Sequence, residues 1–218
     1  MRRLIVPVIG LAIVLALSIP SFAQEVNYPK AEIFGGFSFS STPVVSLDPT
    51  TFLPTSARNS FMGWQASGNY NVTHHLAIVG DFGGQYKTVV GASANQYQFL
   101  FGPRIIFRGN RATPFVHALF GEMRSPAAIV PSTTVLGLTT PAVTVSGSGF
   151  GMGLGGGLDI NVSNRLSLRV PQFDWMLMHV GSATVTVPGF TGITLPGGGW
   201  VTSQIRFGIG LVIKAGEK

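Results

Sequence analysis

Leu76, Ile78, Phe82 and Tyr86 share one parity of the segment Leu76–Lys87, and Asp81, Gln85 and Lys87 share the other. A β-strand sends successive side chains to opposite faces, so this segment makes one apolar face and one small, polar and charged face. A soluble barrel would turn the apolar face inward. Here the polar parity carries glycine and charge while the apolar parity ends in an aromatic, the pattern of a barrel that faces lipid outside. Further stretches repeat the alternation near residues 30–40, 60–72, 94–108, 113–124, 148–162, 166–178 and 200–213.

Most of these stretches match or exceed the ~9–11 residues that a tilted strand needs to cross a bilayer. The connections at 73–75, 109–112 and 163–165 are short, those at 41–59, 125–147 and 179–199 are long, and the one at 88–93 is intermediate. Alternating short and long connections describe an all-β fold, an eight-stranded antiparallel up-and-down transmembrane β-barrel. The short turns and both termini belong on the periplasmic side, and the long loops outside.

The first residues fit export. Arg2 and Arg3 precede an apolar run from Leu4 to Ile19, and Ser21 and Ala23 supply the small residues of a cleavage site. Residues 1–23 therefore read as a signal peptide cleaved after Ala23, and residues 24–218 as one barrel domain bound for the outer membrane. Beyond residue 23 no apolar run reaches helix-spanning length, so a membrane crossing must use strands. The absence of cysteine excludes disulfides and thiolate metal sites. The formal charge of +6 includes Arg2 and Arg3, and the other basic residues are scattered, which argues against a nucleic-acid partner.

Both faces can be read strand by strand. Tyr97, Phe99, Phe101, Ile105 and Phe107 face lipid opposite Gln96, Gln98, Gly102, Arg104 and Arg108. Phe150, Met152, Leu154, Leu158 and Ile160 oppose a glycine row ending in Asp159, and Val201, Ile205, Phe207, Ile209, Leu211 and Ile213 oppose Gln204 and Arg206. Trp64, Tyr86, Tyr97 and Trp175 fall near the loop-side ends and Tyr70 and Phe107 near the turn side, where aromatic girdles belong. The inward charged set is Glu32, Asp81, Arg104, His117, Asp159, Asp174 and Arg206. Unpaired charge inside a closed barrel is costly, so these groups should pair across the lumen, with Arg104 among the counter-charges of Glu32, Asp81 and Asp159. Such a set either fills the bore or lines a polar channel, and eight strands leave room only for side chains. Pro171 is expected to bulge its strand, which leaves the facing of Arg169 and Asp174 open.

The series Phe34-Gly35-Gly36-Phe37-Ser38-Phe39, Phe99-Leu100-Phe101-Gly102-Pro103-Arg104, Pro114-Phe115-Val116-His117-Ala118-Leu119-Phe120-Gly121 and Leu154-Gly155-Gly156-Gly157-Leu158-Asp159 resembles the small OmpA-like outer-membrane β-barrels. The resemblance covers essentially all of residues 24–218. It implies the same barrel embedded in outer-membrane lipids, without the peptidoglycan-binding module of larger relatives. The chain departs from such barrels at its end, Ala215-Gly216-Glu217-Lys218, where a terminal aromatic is common.

Small barrels of this kind include enzymes that modify lipid A, which need a nucleophile beside a base near the membrane surface. His179 with Ser182, oriented by Glu122, is the best such set, but no serine signature accompanies it. His74 and His75 occupy a short turn, and His117 belongs near mid-barrel. Gly151, Gly153 and Gly156 match a dinucleotide glycine pattern without the helix it requires. No cluster has metal-ligand spacing. Asn71-Val72-Thr73 and Asn161-Val162-Ser163 match a glycosylation sequon at strand ends, where no such role is expected.

The long loops are rich in Thr, Pro, Val and Ser. Their strand-favouring runs, such as Thr133–Leu136 and Ile193–Leu195, suit hairpins above the membrane or a surface partner recognised by strand pairing. The expectation is a structural or surface-interaction barrel with a side-chain-filled lumen, no catalysis, no cofactor and no metal. A lipid A-modifying hydrolase and a small-solute pore are the competing readings.

Overall fold

The computed structural model describes residues 28–47, 54–89, 92–130, 133–135, 138–140, 143–186, 192–196 and 201–217. The proposed signal segment lies outside these residues. Eight long strands form the wall: β1 (Pro29–Leu47), β2 (Pro54–Asn71), β3 (Leu76–Val89), β4 (Ala92–Ile106), β5 (Ala112–Val130), β8 (Val143–Asn161), β9 (Leu166–Thr186) and β11 (Val201–Glu217). Three short strands, β6 (Thr133–Val135), β7 (Leu138–Thr140) and β10 (Ile193–Pro196), stand at the loop end. Each long strand pairs antiparallel with its chain neighbour, and β1 pairs with β11, which closes the barrel.

Alternation sets which side chains meet lipid. On β4, Phe101 is 54% exposed while Leu100 is fully buried. Ile33, Phe37, Ile78, Phe120, Phe150, Leu154, Ile209 and Leu211 are exposed on the outer wall, whereas Arg104, Arg169, Arg206, Asp81 and Asp174 are buried inside. A continuous apolar outer surface around a charged interior is stable only where hydrocarbon surrounds the wall. The loop-side girdle is assembled as well: Trp64 Nε1 donates to the Tyr86 hydroxyl at 3.2 Å, and the Tyr86 ring meets Tyr97 edge-on.

Two turns are built alike. After Asn71, Thr73 Oγ1 accepts from the backbone N–H groups of His75 and Leu76, and after Asn161, Ser163 Oγ accepts from those of Arg165 and Leu166. Hydroxyls at this position close tight turns. The asparagines tie each turn to its surroundings: Asn71 Nδ2 donates to Pro29 O at 2.6 Å, and Asn161 Nδ2 to Gly109 O at 2.8 Å. The two sequon matches are thus turn signals.

The described residues of the loops read at 41–59, 125–147 and 179–199 are largely strand. β1 continues to Leu47, β5 to Val130 and β9 to Thr186, while β6 pairs with β7 and β10 with β9. Threonine and valine favour pleated structure, and neighbouring strands of equal length let it continue past the bilayer. Conversely β4 ends at Ile106, so Phe107 and Arg108 belong to the following turn.

Phe101→Arg or Ile209→Arg should hinder insertion at a cost of about 2–4 kcal/mol near mid-bilayer. Loss of the heat-modifiable gel shift in lipid is the expected outcome, and an unchanged shift would show that these residues do not face hydrocarbon.

Candidate functional site

Strand register brings the lumen charges together. Ser40 lies opposite Arg206, Arg206 opposite Asp174, Asp174 opposite Gly155, Gly155 opposite His117, and His117 opposite Arg104. The row then passes Ala77 and Asn71 and reaches the start of β1, about ten residues below its origin, the stagger of a tilted barrel. Charges far apart in sequence therefore become neighbours along a row that is inclined to the barrel axis.

Arg206 is the centre of the network. Its Nη1 donates to Asp81 Oδ1 at 2.8 Å, while Nε and Nη2 donate to Asp174 Oδ2 at 2.9 and 2.6 Å. Gln65 Nε2 donates to the other Asp81 oxygen at 2.6 Å, and Gln172 Nε2 donates to Asp174 Oδ2 at 2.8 Å. His117 joins through its ring. Arg104 Nη2 lies 3.2 Å from Nδ1, and His117 Nε2 lies 2.7 Å from Asp174 Oδ1. A guanidinium can only donate, so Nδ1 accepts and Nε2 carries the proton that reaches Asp174.

A second tier lies toward the short turns. Arg169 grips Asp159 with two hydrogen bonds, 2.7 Å from Nε and 2.9 Å from Nη2, and donates to Gln172 Oε1 at 3.2 Å. Its guanidinium packs over the rings of Phe34 and Phe115 at 4.5 and 4.4 Å. Arg104 also stacks on Phe115, at 4.3 Å. At the mouth, Arg108 Nη1 donates to Glu32 Oε1 at 2.8 Å, and Asn69 and Asn71 donate to the same carboxylate. Above the centre, Ser40 donates to Gln85, which also accepts from Gln204 and donates to Ser38.

The structure places all seven sequence-selected residues, Glu32, Asp81, Arg104, His117, Asp159, Asp174 and Arg206, inside the barrel and buried. It corrects their pairing. Arg104 makes no ion pair among the described residues, and its Nε and Nη1 have no protein hydrogen-bond partner. Arg108 serves Glu32, Arg169 serves Asp159, and Arg206 serves both Asp81 and Asp174. Side-chain parity shows which face a residue takes, but partners depend on depth, which only the barrel stagger supplies.

Arg169 was obscured by Pro171. The register skips at Val170–Pro171 against both neighbours, so inward parity changes there and Arg169, Gln172 and Asp174 all point into the lumen. The polar reading of the interior also missed an apolar cluster, Val79, Leu100, Leu119, Met123, Met176 and Met178. The β8 glycines make room for these side chains. A Cβ on Gly155 would lie 2.0 Å from Asp174 Oδ1, and one on Gly151 would lie 2.5 Å from Met123 Cγ.

The catalytic alternative is not assembled among the described residues. His179 is exposed on the outer wall, and Phe150 stands between it and Glu122 in the strand register. Glu122 instead accepts from Arg124 Nε at 2.7 Å on the exposed surface. The Ser182 side chain lies outside the described residues.

No protein-family model matches the chain, and no curated protein matches it. Solved structures do. Neisserial surface protein A aligns over 87% of this chain and 99% of its own with a TM-score of 0.55 and 12% identity. The fold is that of the small outer-membrane β-barrels. Looser matches include Ail, the attachment invasion locus protein of Yersinia pestis, at TM-score 0.45 and 14% identity over 84% of this chain and 99% of its own. At 12% identity the likeness to Neisserial surface protein A shows the barrel fold, and no specific OmpA-like membership.

Arg206→Leu leaves two buried carboxylates without their cation, and should cost about 3–5 kcal/mol of stability. Arg104→Leu removes one hydrogen bond and a ring contact, so its cost should be nearer 1–3 kcal/mol. Urea unfolding in lipid vesicles measures both. Equal losses would contradict the pairing described.

Proposed function

We propose that this chain is an outer-membrane β-barrel with a structural or surface-interaction role, no catalytic activity, and a lumen closed by its own side chains. The observation that carries the reading is the connected chain from Asp159 through Arg169, Gln172, Asp174, Arg206 and Asp81 to Gln65, packed beside the Leu100–Met123–Met178 cluster. Such a set spans an interior that eight strands leave only wide enough for side chains. Moving an ion past it would require separating buried ion pairs.

Surface recognition is favoured by the strands that continue past the bilayer. The β6–β7 hairpin and the β9–β10 pair offer β-structure at the loop end, where a partner strand can add by backbone hydrogen bonds. The regions 41–59, 125–147 and 179–199 would carry that contact, and outer-membrane lipids would surround the wall. Export through cleavage after Ala23 would deliver the chain there, so mature protein recovered from outer membranes should begin at Gln24 by amino-terminal sequencing. An intact Met1 start would refute that step.

In planar bilayers the protein should show no large, steady conductance, and in detergent no lipid hydrolysis above background. Steady channels would favour the pore. Hydrolysis abolished by His179→Ala would favour the enzyme.

A further inference from the structure

The short-turn end of the barrel opens into a cup of about 1190 Å³ that the central network does not use. Its charged lining is Arg108, Arg165 and Lys214, and among the described residues no carboxylate lines it. Glu32, beneath the lining, forms its ion pair with Arg108. Among the described residues, Arg165 and Lys214 make no ion pair. Lys214 Nζ donates to the neutral Asn161 Oδ1 at 2.7 Å, and the Lys214 backbone N–H binds Arg165 O at 2.9 Å, which ties both cations to one wall.

Two further groups of the cup have unused hydrogen-bonding capacity. The Arg108 side chain is 10% exposed, anchored by Glu32 and by the His74 carbonyl, yet its Nη2 has no protein partner. His74 Nδ1 is likewise buried without a partner. Burial, then the neighbouring His75 and Arg108 side chains, holds the His74 imidazole below its ordinary pKa. Tyr28 and Pro29 add an apolar side to the same cup.

We propose that this cup binds an acidic peptide segment on the periplasmic side of the membrane. The excess of positive charge calls for carboxylates. The cations sit on separate elements: Arg108 in the turn after β4, Arg165 in the turn before β9, and Lys214 on β11. A peptide with spaced carboxylates can meet cations held on three separate elements, while its backbone and stems lie along Tyr28 and Pro29. The volume also suits several residues rather than a single ion.

The test uses the full mature protein in detergent micelles at low ionic strength, with fluorescein-labelled tetraglutamate as probe and anisotropy as readout. Tetraglutamate should bind about tenfold more tightly than labelled tetraglutamine, a difference of about 1.4 kcal/mol. The double variant Arg165→Gln/Lys214→Gln should weaken tetraglutamate binding about fivefold or more and keep the wild-type heat-modifiable gel shift. Equal binding of the two peptides, or an unchanged affinity in the folded double variant, would overturn the proposal. So would displacement of the probe by inorganic phosphate at concentrations matching unlabelled tetraglutamate, which would assign the cup to simple oxyanions.

Discussion

Arg206 holds Asp81 and Asp174 at once, and the rest of the lumen is arranged around that contact. Two carboxylates buried so near each other would repel strongly without a cation between them. A guanidinium suits the position because its fork presents several donors in fixed directions and keeps its charge when buried. The arrangement leaves one negative charge in excess locally. Arg104 balances it at one remove, through the His117 ring that hydrogen-bonds to Asp174.

That contact explains otherwise unrelated features of the wall. Asp174 reaches His117 because Gly155 stands where any side chain would collide with the carboxylate. Arg169 reaches Gln172, and through it Asp174, because the chain bulges at Val170–Pro171 and returns both residues to the interior. Phe115 gives two guanidiniums an aromatic face, which lowers the cost of keeping them from water. The apolar cluster occupies the part of the bore that the network does not reach, so charge and hydrocarbon divide the interior.

The fold was legible in sequence because alternation is a local signal. Phe101 and Leu100 are both apolar, yet parity with Phe99 and Arg104 separates the lipid-facing residue from the lumen-facing one. The charged interior was legible for the same reason. Pairing was not, since Arg206 and Asp81 meet across the bore from strands far apart in the chain. Arg169 was hidden by a change of parity that a proline suggests but does not prove. The methionines on the inward face looked like any apolar residue, and nothing local marks Met123 as core rather than lipid-facing except its parity with His117. The loop-end strands were readable only as β-preference, because their extent depends on neighbours that continue beside them.

The central claim is that the lumen is one coupled electrostatic unit. A double-mutant cycle on Asp81→Asn and Arg206→Gln, read as unfolding free energy in lipid vesicles, tests it most directly. Coupling of about 1–3 kcal/mol is the predicted result for a buried, hydrogen-bonded pair. Additive effects, with coupling within about 0.3–0.5 kcal/mol of zero, would contradict the account and mean that the two side chains act independently.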